Sequence, residues 1–134
     1  MSFIKVLVLI ALVIAFGVAP AAASAKACVR IEVAPVAAAG QPVRATVWTF
    51  MPRWWDGKVI GLVPMAWPLG RLMLTAQGPQ GRWFEVPSWK TATRHARVAR
   101  IVFPIAGAWR LTATNWASAP PSCAPPARVL VSTP

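Results

Sequence analysis

The chain has 134 residues, 57% of them hydrophobic, with 14 Lys and Arg against three Asp and Glu. That length bounds it to one compact domain, and its 14 prolines exclude a helical bundle, because each interior proline costs a helix about 3 kcal/mol. The apolar content excludes intrinsic disorder, and one His, three carboxylates and no Tyr leave little material for catalysis or metal binding.

Met1 to Lys5 is a short, weakly basic start, followed by Val6–Ala19, a run without one polar side chain. Pro20 and the small residues through Ala25 come next, and Ala23-x-Ala25 fits a signal peptidase site. This three-part layout predicts a secretory signal peptide over residues 1–25. The rival reading is an uncleaved membrane anchor, a hydrophobic helix over residues 4–24, which has just the length to span a bilayer. Lipidation at Cys28 is disfavoured, since Lys26 stands where that signal wants a small uncharged residue. Either way residues 26–134 are expected to be exported: periplasmic, secreted or held at the cell surface. Without residues 1–25 there remain 109 residues and, with Lys5 gone, 13 basic side chains against three acidic, a net charge of +10. Cys28 and Cys123 both lie in this exported part, near its two ends, and are expected to form one disulfide.

Turn signals divide the exported part into short pieces. Cys28–Val33 alternates apolar and polar residues as a half-buried strand does. Ala37–Pro42 is a turn, and Val43–Phe50 alternates again, with Val43, Ala45, Val47 and Thr49 on one face. Met51–Lys58 reads as a loop, punctuated by Pro52 and Asp56-Gly57. Val59–Leu69 is almost wholly apolar but is interrupted by Gly61, Pro64 and Pro68. Arg71–Gln77 and Arg82–Val86 read as a hairpin about Gly78-Pro79-Gln80-Gly81. In Arg94–Phe103 the arginines recur at Arg94, Arg97 and Arg100, as on a helix turn, but Val98, Ile101 and Val102 favour a strand. Ala108–Asn115 and Ala127–Ser132 complete the set, with a Pro/Ser-rich loop carrying Cys123 between them. About seven short strands at regular spacing predict an all-β sandwich.

Three phrases carry a resemblance: Ala39-Gly40-Gln41-Pro42-Val43 after an opening strand, the Gly78–Gly81 hairpin turn, and Phe103-Pro104-x-x-Gly107-x-Trp109-Arg110-Leu111. Together they resemble the small immunoglobulin-like domains of exported bacterial proteins. The resemblance implies an immunoglobulin-like sandwich in which the aromatic after the Pro-x-x-Gly turn packs in the core; it names no activity. The apolar insert Val59–Leu69 departs from that pattern.

For catalysis the chain offers Glu32, Asp56, Glu85 and His95, each with an ordinary use: solvated strand face, turn former, or exposed ring. No base is paired with an orienting group, so the chain reads as a non-enzyme without a cofactor. Exported copper proteins of this general fold use His with Met. Here Met51, Met65 and Met73 have only His95 to join them, and core packing is the reading taken for the methionines.

The eight tryptophans are more informative. Trp48, Trp83 and Trp109 fall in strands and are expected to pack in the core or against a sheet face. Trp54 and Trp55 are adjacent, so on a strand they point to opposite faces and cannot both enter one core. The expected contact surface is therefore Arg53, Trp54, Trp55, Lys58 and Trp67. The first reading is an exported binding or assembly module for an unknown protein partner or an anionic membrane or cell-wall surface. A membrane-anchored accessory subunit with this loop at the interface is the alternative, and a carbohydrate-binding domain is the third. Export argues against nucleic acid.

Overall fold

The structure is a computed structural model that describes residues 27–68, 70–115 and 122–134. The signal or anchor segment therefore lies outside the described residues. Ten strands occur among those described: β1 (Cys28–Glu32), β2 (Val36–Ala38), β3 (Pro42–Trp55), β4 (Lys58–Pro64), β5 (Met73–Gln77), β6 (Trp83–Pro87), β7 (Trp89–Lys90), β8 (Ala96–Val102), β9 (Gly107–Thr114) and β10 (Ala127–Ser132). They form two sheets, β1-β3-β8-β7 with β4 also on β3, and β2-β10-β9-β5-β6. All pairings are antiparallel except β2 with β10. The all-β expectation holds, with ten strands among the described residues rather than about seven. The additions include β2 and β7, of three and two residues, too short to show any periodicity.

Period two decides what is inside. On β3, Ala45, Val47 and Thr49 are buried, as the alternation predicts. On β8, Ala99 and Ile101 face the same way and pair with Ala45 and Val43. The opposite sheet answers with Leu74, Ala76, Leu111, Val129 and Val131. Within Arg94–Phe103, Ala96–Val102 is strand β8, and Arg94 and His95 form the turn before it.

Trp109 is the largest fully buried side chain, at 1% exposure. Its ring lies 5.4 Å from that of Phe103 and 5.5 Å from that of Phe84. The indole Nε1–H donates to the Ile105 carbonyl at 3.0 Å, which removes the cost of burying that donor. Gly78 makes this packing possible, because a Cβ there would sit 2.5 Å from three indole carbons. The hairpin turn expected at Gly78–Gly81 is a single 3-10 turn, Pro79–Gly81, between β5 and β6. Trp83 corrects the expectation of packing: Phe84 and Val86 take the inward parity of β6, and Trp83 is 65% exposed.

A disulfide joins Cys28 to Cys123, with Cα atoms 5.4 Å apart. The Cys123 N–H donates to the Val29 carbonyl at 2.8 Å, so a backbone bond ties the two segments together beside the bridge. The bridge spans 95 positions, which in the chain-entropy picture stabilises the fold by about 4–5 kcal/mol. Replacing both cysteines by Ala should lower the unfolding free energy by that order, read as an earlier urea midpoint. No change would mean the ends are held by the sheets alone.

Candidate functional site

Strand β3 is much longer than its neighbours. Its partners on both sides end near its middle: β1 begins at Cys28, opposite Phe50, and β8 begins at Ala96, opposite Trp48. Beyond Phe50 the strand continues to Trp55 with β4 as its partner. Met51–Lys58 is therefore strand and turn rather than a loop, and most of the apolar insert is strand β4. The two strands form a hairpin reaching about 17 Å past the sheet, at about 3.3 Å per residue over five residues.

The sequence folds this way because its punctuation suits a free-standing hairpin. Asp56 and Gly57 both have positive φ, 50° and 73°, the conformation of a two-residue turn that matches strand twist and favours Asp-Gly. Pro52 and Pro64 fit without breaking the ladder. The Met65 N–H donates to the Thr49 carbonyl at 3.1 Å, so Phe50–Pro64 and, by alternation, Pro52–Leu62 are non-hydrogen-bonded pairs. Each proline thus turns its missing N–H toward an open edge of the hairpin, the place a strand tolerates proline. A bulge between Arg53 and Trp54 leaves Ile60 without a register partner.

Apolar side chains cover both faces. Pro52 and Leu62, and Trp54 and Val59, pair on one; Met51 and Val63, Arg53 and Gly61, and Trp55 and Lys58 pair on the other. Trp54 is 56% exposed and Trp55 74%, and Val59, Ile60, Leu62 and Val63 are exposed with them. Opposite facing was expected to leave at least one indole outside the core; both are outside. The structure thus brings together Arg53, Trp54, Trp55 and Lys58. It does not bring in Trp67, which lies beyond β4, half-buried against the sandwich core. Ile60, Leu62 and Val63, missing from the expected surface, belong to it; their signal was the apolar run itself.

Thr49 fixes the hairpin to the sandwich. It is buried, its N–H donates to the His95 carbonyl at 2.9 Å, and its hydroxyl donates to the Met65 carbonyl, with the His95 carbonyl a second acceptor at 3.2 Å. Nearby, the His95 ring lies 5.3 Å from that of Trp48, whose Nε1–H donates to Glu32 at 3.2 Å. Arg30 stands over Phe50, 5.3 Å from the ring centre. His95 is thus half-buried between aromatic rings rather than an exposed ring. Below, the Ser88 hydroxyl donates to the Leu72 carbonyl and accepts from Arg97 Nε at 2.8 Å. Burial lowers the Arg97 pKa from its ordinary value, and the guanidinium stays charged at neutral pH.

Glu32 and Glu85 are exposed on their strands and Asp56 is in the hairpin turn. Among the described residues no group of three or more His, Cys, Asp or Glu is placed to hold a metal ion, and no helix is long and apolar enough to cross a membrane. A groove of about 380 Å³ on the outer face of the first sheet is lined by Arg44, Trp89, Val98 and Arg100 among others. A scan against protein-family models and a search of curated proteins both return no match.

Thr49→Val should destabilise the protein by about 1–3 kcal/mol, since it takes the hydroxyl donor from the part-buried Met65 carbonyl, whereas Thr49→Ser should retain most of the stability. Denaturant unfolding of the two variants checks this.

Proposed function

We propose that the protein is an exported, non-enzymatic binding or assembly module whose contact element is the hairpin Met51–Val63. The observation that carries this is the exposure of Trp54 and Trp55 on a hairpin paired only with itself. An isolated two-stranded hairpin is marginal in water, and exposed apolar patches rimmed by polar groups mark interaction sites. Arg53, Trp54, Trp55 and Lys58 supply the residue types that dominate contact energies and their charge.

The scaffold reading is an immunoglobulin-like sandwich. Strand order supports it: β1-β3-β8-β7 corresponds to the A-B-E-D sheet of that architecture, and β10-β9-β5 to its G-F-C sheet. On this correspondence the hairpin lengthens strand B and occupies the connection to strand C. The disulfide supports export, since such bonds persist in oxidising compartments.

A second reading, an anionic carbohydrate site, is favoured by the groove in which Trp89 stands beside Arg44 and Arg100. Those two arginines are opposed in register, an arrangement unfavourable without an anion between them.

The test is W54A/W55A. It should abolish recovery of the partner from an exported fraction while changing the thermal midpoint little, since both rings are largely in solvent. A large loss of stability would place the indoles in the core and overturn the proposal. Trp89→Ala should leave recovery intact; its loss there would favour the groove instead.

A further inference from the structure

We infer that the surface this hairpin contacts is an anionic lipid bilayer, entered at headgroup depth; the inference rests on the hairpin being the contact element. Four observations select lipid over another protein. The hairpin is apolar on both faces, and a fluid interface surrounds both, whereas a single docking groove covers one. Its open edges carry Pro52 and Pro64, which blunt strand addition by a partner's edge. A second copy is disfavoured by charge: hairpin against hairpin would oppose Arg53 and Lys58 to themselves, with Asp56 alone to offset them. Indoles flanked by Arg and Lys are the side chains that settle at the membrane–water boundary, ring in the apolar layer and cation among phosphates.

A fifth observation concerns the whole end of the molecule. Besides Arg53 and Lys58, the exposed Arg71, Lys90 and Arg94 lie at the hairpin end. Arg71 precedes Leu72, which the Ser88 and Arg97 bonds tie to the start of β8. Arg94 lies in the turn whose His95 carbonyl accepts from Thr49, and Lys90 pairs with Arg97. Against them stand Asp56 in the turn and Glu32, which accepts from Trp48 beside His95. The preceding chain joins the sandwich at this same end, since Cys28 pairs with Phe50, where the hairpin starts. The run Val6–Ala19 ends nine residues before Cys28. The described chain thus enters the sandwich, at Ala27 and Cys28, at the basic end that carries the hairpin. Insertion stops at headgroup depth because the open edges still need water or headgroup partners.

The experiment reads named indoles, so that partition of the full chain through residues 6–19 does not decide it. The full chain is reconstituted into vesicles of phosphatidylglycerol and brominated phosphatidylcholine, and tryptophan quenching is compared for wild type, W54F/W55F and Trp83→Phe. Trp83 is as exposed as the hairpin indoles but sits at the far end, beside the Gly78 turn. W54F/W55F should remove more than about four times the quenched signal that Trp83→Phe removes, at least about twice as much per indole, as expected for indoles held at the interface. R53Q/K58Q should reduce the hairpin quenching on these vesicles, and so should replacing phosphatidylglycerol with a zwitterionic lipid. Hairpin indoles left unquenched by brominated lipid, or quenching insensitive to lipid charge, would overturn the assignment. If W54A/W55A nonetheless abolished capture of a soluble partner, the contact hairpin would stand and the bilayer alone would fall.

Discussion

The structure depends on one strand serving two environments. Over residues 42–50, β3 is a central strand, flanked by β1 and β8 and alternating into a closed core. From Met51 to Trp55 the same strand has lost both neighbours and pairs with β4 alone. The backbone and its period of two run through the change, but what a given parity means does not. Inside the sandwich one parity is buried and the other wet; on the hairpin both are wet. Thr49 sits at the junction, with its backbone and hydroxyl committed to Met65 on one side and His95 on the other. The hairpin is thereby anchored at its base to the most completely buried part of the sheet.

This division separates the side chains that build the core from those left exposed on the hairpin. The core around Trp109, Phe103, Leu74 and Ile101, closed by the Cys28–Cys123 bridge, draws on none of the hairpin side chains beyond Phe50. Large apolar groups on the hairpin are therefore not spent on folding. Keeping such a patch exposed carries an aggregation hazard, which the fold limits with proline on both open edges and cations at the tip. The strong basic excess acts in the same direction, since like-charged molecules repel while anionic surfaces attract them.

Much of this was legible in the sequence. Alternation located β1, the inner half of β3, and β5, β6, β8, β9 and β10, and the spacing of Cys28 and Cys123 fitted one closing bridge. The apolar insert was misread because Pro52, Gly61 and Pro64 are also loop formers: sequence does not show which way a proline nitrogen faces, and here each faces an open edge. Parity could have placed Trp83 outside, because Phe84 and Val86 claim the inward side of β6. Trp67 had no such cue, since its burial follows from where the chain turns after Pro64. Trp54 and Trp55 were the readable part of the candidate site, on the argument that neighbours on a strand face apart. The companions Ile60, Leu62 and Val63 required knowing that their segment was a strand without a sheet.

Amide hydrogen exchange along β3, in the free protein and in the presence of the bound surface, tests the central claim most directly, because one strand contains both regimes. The account predicts that amides of residues 51–63 exchange through local opening, well ahead of those of residues 43–49, and become protected when the hairpin is engaged. Protection of residues 51–63 equal to that of residues 43–49 in the free protein would mean that the hairpin belongs to the cooperative core, and would contradict it.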